Sequence, residues 1–436
     1  MSRHPSEAQV FSRRSGEVGG NQDREMPQTT QRMIFLGLGW FGVQVFWAFH
    51  SSTLPLFLAK LTDSKLQISL VLSLAGISGV VVPPLVGYLS DRTTARLGRR
   101  TPYILVGMLG VLFCVLALPR LTGFALVALV SGLMYFSLRI AETPFLSLLP
   151  DMTPPAQRST ASGVMNLVGS LGLMLCFVAG SLLWERRPGA MFSVVAVACF
   201  AFMATSVALL REPAAERRSP AEAVSPMAYL RSVAGERNAV RFLVAQFFWW
   251  LGFWMISSFL ILFVAEELQV AEGRSFLVPL VFSIVATTAM LPLGMMGDRF
   301  GRKDVLSSMI ALWAVSGLAI ALSQNLGQAL VTVGFAAIPF AAVMAVGYAF
   351  FLDLIPPGRT AEFVGIGVLT IACAQCIGPL LGGQLIDTLG YRSLFPVAAA
   401  FQLIGLALLR RVQPPETEQA PGMHRSGMGP RRTHSG

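Results

Sequence analysis

Charge is scarce in this chain. Only 13% of its 436 residues are Asp, Glu, Lys or Arg, about half the share of an average soluble domain. That leaves too little polar side chain to cover a water-soluble globule of this length. An ordinary soluble enzyme and a disordered scaffold are both excluded. Cysteine is scarce too. All five (Cys114, Cys176, Cys199, Cys373 and Cys376) fall inside apolar runs, where the thiol packs as a small hydrophobe. No disulfide framework follows. The C-x-x-C at Cys373 and Cys376 lies mid-run with no strand beside it, so redox or metal use is not expected. There is no Gly-rich phosphate loop and no cluster at metal-ligand spacing. The sequence thus leads us to expect no catalysis, no cofactor, no resident metal and no energy from ATP.

What is abundant is apolar. Hydrophobic residues make up 54% of the chain, and the mean hydropathy is +0.64. A bilayer-spanning helix takes about 20 mainly apolar residues. Twelve such runs are predicted, six within residues 33–210 and six within 242–409. Around them lie a polar N-terminal tail (1–32), a linker (211–241) rich in charge, Ala and Pro, and a C-terminal tail (410–436). The linker has room for a surface helix. The first run follows too long a polar stretch to be a cleaved leader, so no processing is expected.

The formal charge of +10 points to the bilayer and not to nucleic acid, because the basic residues sit between apolar runs. Of the 33 Lys and Arg, 25 fall on the side that holds both tails and the linker, and 7 on the other. Arg139 alone lies within a run. The positive-inside rule then places both termini in the cytoplasm.

The chain repeats itself. Gln44–Trp47 (QVFW) matches Gln246–Trp249 (QFFW), and the stretch from Asp151 matches that from Asp353, both at an offset of 202. Asp91 in LSDR matches Asp298 in MGDR at 207. A duplicated six-helix unit follows, and repeats that enclose a central site are a transporter signature.

The loop after the second run reads GYLSDRTTARLGRRTPY, and the later copy reads GMMGDRFGRK. Gly87 and Asp91 share a helix face, as do Gly294 and Asp298. The glycine would let a neighbouring helix come close. The aspartate sits at a helix C-terminus, where the dipole disfavours an anion, so it needs an outside partner. Arg92, Gly98, Arg99 and Arg100 complete the first copy, and Arg299, Gly301, Arg302 and Lys303 the second. This G-x-x-x-D-R-x-G-R-K pattern resembles the signature of the major facilitator superfamily. The first copy has five residues between Arg92 and Gly98. That longer form resembles the sucrose/proton symporters and the related glycoside–pentoside–hexuronide carriers, as do Gly42–Pro55 and Ala75–Arg92. The resemblance implies an all-α integral membrane protein, with twelve helices in two pseudo-symmetric bundles that rock about a midplane site. It further implies a conformational latch, with Asp91 capping the eleventh helix near Ala361–Val364 and Asp298 the fifth near Ala161–Val164.

Arg139 and Glu142 are the charges placed well inside a run. By helical rise Glu142 lies about 13 Å from the end at Asp151. Three residues apart, the two can pair, and intramembrane charges mark function by default. They form either a substrate or proton site or a neutralised pair that holds helices together. Gln44, Trp47 and His50 recur on one face of the first helix, with Gln246 and Trp249 as counterparts. Amide and indole groups suit sugar hydroxyls and apolar sugar faces, and they equally suit packing. Asn166 and Gln375, with Gln384, are further candidates of this kind. A GP-x-x-GG segment, found in the fifth helix of drug antiporters, is missing from the fifth run here.

The reading is a monomeric secondary transporter of a bacterial-type inner membrane. Its substrate would be a small solute, a sugar or other polyhydroxyl compound, with the proton as coupling ion. The alternatives are an exporter of lipophilic metabolites or drugs, which the aromatic FFWWLGFW of the seventh run would suit, and a non-transporting protein that binds a partner or pigment.

Overall fold

The computed structural model describes residues 8–93, 95, 97–154, 157–210, 235–356 and 359–413. The possible linker helix and most of the C-terminal tail lie outside these residues. Among the described residues, twelve helices are long and apolar enough to cross a membrane. They are α1 (Thr30–Ala59), α2 (Lys65–Arg92), α3 (Thr101–Arg120), α4 (Phe124–Met152), α5 (Thr160–Leu183) and α6 (Pro188–Leu210), then α7 (Arg237–Glu267), α8 (Glu272–Phe300), α9 (Arg302–Ala321), α10 (Leu326–Asp353), α11 (Glu362–Leu389) and α12 (Tyr391–Arg410). The helix that carries α1 starts earlier than the apolar pattern predicts, at Ala8.

The two sets of six pack alike. In the first half α1 lies against α5 and α6, α3 against α4 and α6, and α2 against α4. In the second, α7 lies against α11 and α12, α9 against α10 and α12, and α8 against α10. Adding six to each number of the first set gives the second, as a duplicated unit requires. The halves meet along α2 with α11 and α5 with α8.

Two helices break at matching points, for a reason visible in the residues. A turn at Ser52 interrupts α1, and one at Ser258 and Phe259 interrupts α7. In α1, Pro55 lacks the N–H that would continue the ladder. The Ser52 hydroxyl donates to the Ala48 carbonyl at 2.6 Å, and the Ser258 hydroxyl to that of Trp254 at 2.7 Å. These bonds supply what the bilayer cannot. A wide π turn over Phe263–Glu267 follows the break in α7, and another over Val343–Gly347 follows Pro339 in α10.

The seam between the halves differs from end to end. From mid-depth to the end away from the arginine-rich loops, α2 and α11 come together over small residues. A β-carbon on Gly76 would lie 2.3 Å from the Cys376 backbone nitrogen, and one on Gly383 2.5 Å from the Lys65 carbonyl oxygen. There too a β-carbon on Gly180 of α5 would strike the Phe276 ring of α8. At the arginine-rich end Gly87 on α2 and Gly163 on α5 face open space, with nothing within 4 Å of an added β-carbon. The halves are closed at one end and parted at the other.

Candidate functional site

At mid-depth three helices bring their polar groups together. Arg139 and Glu142 stand one turn apart on α4, and the guanidinium Nη1 donates to Glu142 Oε2 at 2.7 Å. Both side chains are largely buried, at 17% and 6% exposure. Trp47 of α1 donates its indole N–H to Glu142 Oε1 at 3.4 Å, and its ring lies under the guanidinium at 4.9 Å. From the other half, Gln375 of α11 accepts from Arg139 Nη2 at 3.2 Å. An ion pair in a bilayer is costly unless each partner is satisfied, and here the bonds to Trp47 and Gln375 do that. The Gln375 bond also ties α4 to the opposite half.

One turn along α1, His50 Nδ1 meets the Tyr135 hydroxyl at 2.5 Å. Trp47 and Trp254 flank the imidazole edge-on, with centroids 5.4 Å and 6.3 Å away. The Trp254 indole N–H is buried without a partner, a donor still to be used.

The repeat match predicts Trp249 as the counterpart of Trp47, and here the structure differs. Trp249 is 1% exposed and packs edge-on against Phe242, 5.5 Å away. Gln246 donates to the Gly367 carbonyl at 3.0 Å and the Thr370 hydroxyl at 2.9 Å, so it ties α7 to α11. Trp254 is the residue of α7 that reaches His50. The reason is register. Helix breaks at Ser52 and Ser258 set which turns face the centre, and they stand 206 residues apart, not 202. Gln44 lies beside Gly169 of α5, away from the ion pair. Asn166 is exposed and bonds back to the Ser162 carbonyl at 2.9 Å. Tyr135 and Trp254 escaped the sequence reading, although the serine pairs Ser51–Ser52 and Ser257–Ser258 mark the register.

The loop motifs are present in both copies, with one partner the sequence reading did not name. Gly98 and Gly301 have φ of 101° and 91°, a conformation open to glycine. Arg99 bonds Asp151 at the end of α4, and Arg100 reaches Asp151 at 2.9 Å and Asp91 at 3.7 Å. In the second copy Arg302 joins Asp298 at 2.8 Å and Asp353 at 2.6 Å. Asp151 and Asp353 were visible in the sequence as a repeat match. Arg92 stacks on Tyr88 and Arg299 on Phe300, while Lys303 donates to the Arg410 carbonyl at 3.2 Å. Among the described residues, the expected caps on α11 and α5 are not made. Asp91 and Asp298 are 62% and 65% exposed and each pairs within its own half. Gly87 has no helix against it, and Gly294 has only the Ala345 side chain at 3.8 Å. The physical reason is the parted seam, which holds each aspartate away from the opposite half.

Comparison with known proteins bears on the family and the fold. A human proton-associated sugar transporter is 30% identical over 176 residues, 37% of this chain and 24% of that protein. An Arabidopsis thaliana sucrose transport protein is 32% identical over 162 residues, covering 32% of this chain and 27% of its own length. A Na(+), Li(+), K(+)/H(+) antiporter of Planococcus maritimus is 30% identical over 38% of this chain and 40% of its own. The chain thus matches less than half the length of these relatives. A crystal structure of a nucleoside transporter aligns at a TM-score of 0.74 and 14% identity, over 87% of this chain and 99% of that one, which speaks to the fold. The family model of the Major Facilitator Superfamily matches residues 36–286 and 242–432. Its two matches take in both six-helix bundles and both copies of the loop motif, so this chain belongs to the Major Facilitator Superfamily.

Proposed function

We propose that the protein is a proton-coupled secondary transporter of a sugar or similar polyhydroxyl solute, working by alternating access. One observation carries this reading: the buried Arg139–Glu142 pair is bonded to Gln375 across the seam. The guanidinium presents donors for sugar hydroxyls, Trp47 a flat apolar face, and Glu142 a carboxylate that can take a proton when Arg139 turns to substrate. Names of the sugar-transporting relatives support the substrate class. In this reading the arginine-rich end faces the cytoplasm of a bacterial-type inner membrane, the parted end is the inward-facing one, and the working unit is a monomer. Of the aromatic segment that would suit an exporter, Trp249 and Trp250 are buried at 1% and 8% within the second half, and Trp254 reaches the centre beside His50.

The test is uptake of labelled mono- and disaccharides into proteoliposomes under an imposed proton gradient. The parent should accumulate at least one of them. Glu142→Gln should abolish accumulation but keep substrate exchange, which moves no net proton. Equal accumulation by parent and variant would make Glu142 structural and pass coupling to His50 or to no proton.

A further inference from the structure

The polar contacts that close the seam at the arginine-poor end follow one plan, written twice. Asp387, in the last turn of α11, reaches the start of α2 in the other half. Its Oδ1 accepts from the Lys65 backbone N–H at 2.7 Å. Its Oδ2 accepts from the Leu66 N–H and the Ser64 hydroxyl, both at 2.9 Å. Glu185, just past α5, reaches the start of α8 in the other half, and its Oε1 accepts from the Gly273 backbone N–H at 3.0 Å. Glu185 and Asp387 stand 202 residues apart, the offset of Asp151 and Asp353, and Leu66 and Gly273 stand 207 apart, the offset of Asp91 and Asp298. The duplicated unit thus reproduces the same bond, from the same acceptor position to the same donor position.

The chemistry favours these contacts strongly. A carboxylate at the C-terminal end of its own helix faces the negative end of a dipole. At the start of another helix it meets the positive end and free N–H groups. Close approach is built in beside each one. Gly383 stands one turn before Asp387, and Gly180 a little over one turn before Glu185. Neighbouring charges reinforce the closure: Lys65 pairs with Glu266 of α7 at 2.9 Å, and Lys60 with Glu272 of α8 at 2.9 Å.

We propose that Asp387 and Glu185 form a paired latch which holds the halves shut at the arginine-poor end and must release before that end can open. This rests on the transporter reading. It makes α2–α11 and α5–α8 reciprocal. At the arginine-poor end α11 and α5 supply the carboxylates to the starts of α2 and α8. At the arginine-rich end α2 and α8 carry Asp91 and Asp298, disengaged in this structure. The two ends of α2, from Lys65 to Asp91, are about 39 Å apart by helical rise, so one rocking motion exchanges one set of caps for the other.

The test is pulsed electron-spin distance measurement on the full chain, with its native cysteines replaced. One label pair at Asp63 and Thr388 spans the closed end, and one at Leu97 and Asp304 spans the parted end. The isosteric double variant Asp387→Asn with Glu185→Gln keeps the volume and removes both charges. A charge at a helix end is worth a factor of about 2 to 30, so the population open at the Asp63–Thr388 pair should rise about tenfold. The Leu97–Asp304 distance should shorten in step. Unchanged distributions at both pairs would overturn the latch. If the double variant is not recovered folded, Asp387→Asn alone carries the same test. The distances need no substrate. Unmoved distances in a parent that accumulates sugar would remove the latch alone, and responding distances in a parent that moves no sugar would remove the substrate reading alone.

Discussion

Arg139 satisfies two claims at once, and its removal separates them. Its Nη1 neutralises Glu142 at 2.7 Å and its Nη2 reaches Gln375 at 3.2 Å. Arg139→Ala leaves a buried carboxylate without its partner, at a cost of about 3–5 kcal/mol, so both accumulation and exchange should fail. Gln375→Leu keeps the ion pair and loses only the link across the seam, a net cost of about 0.5–1.5 kcal/mol, since Nη2 still reaches the Ala75 carbonyl at 3.5 Å. Exchange should survive it with an altered rate. Transport assays on the two variants, beside thermal unfolding in detergent, check this. Equal loss of exchange in both would mean that the cross-seam bond, and not the ion pair, is what transport needs. The pair itself was legible in the sequence because two charges in an apolar run are conspicuous. The neighbours Tyr135 and Trp254 were not, because a hydroxyl or indole in such a run has no signature until its register is known.

Helices were the easiest feature to read, since each run of about 20 apolar residues has one physical outcome in a bilayer. Their breaks were harder, because serine hydroxyls that bond back along the helix look in sequence like any small polar residue. The contact between helices was harder still. Gly383 reads as one of the 41 glycines, yet in the fold its missing side chain decides how near α11 comes to α2. Gly383→Ala would place a carbon 2.5 Å from the Lys65 carbonyl oxygen, and overpacking of this kind costs about 1–3 kcal/mol. That cost falls on the state closed at this end. The native Cys376 lies in the same seam, against Gly76, and reports on it. A water-soluble maleimide should modify Cys376 several-fold faster in Gly383→Ala than in the parent, as measured by peptide mass. Equal rates would show that the helices absorb the extra carbon without parting.

At the scale of the whole molecule, the assignment of the arginine-rich end to the cytoplasm has a direct check. The asymmetry of Lys and Arg was legible because loops are counted and not folded. The conformation was not legible, since closed and parted ends use the same residues. Cysteines at Asp304 and Arg187, both exposed and at opposite ends, settle the orientation. In intact cells an impermeant thiol reagent should label Arg187→Cys and spare Asp304→Cys, and the reverse pattern would invert the assignment.

The two caps of the closed end have a consequence for how the chain can be ordered. Each half offers an acid from its fifth helix and receives one on its second, so the interface is self-complementary, like that of a two-fold symmetric dimer. Neither half is first or second as far as the contacts are concerned. Each half also begins and ends at the arginine-rich end. A gene with the halves exchanged, residues 242–409 ahead of 33–210, would encode the same pair of surfaces. It should insert with the same thiol-labelling pattern as the parent.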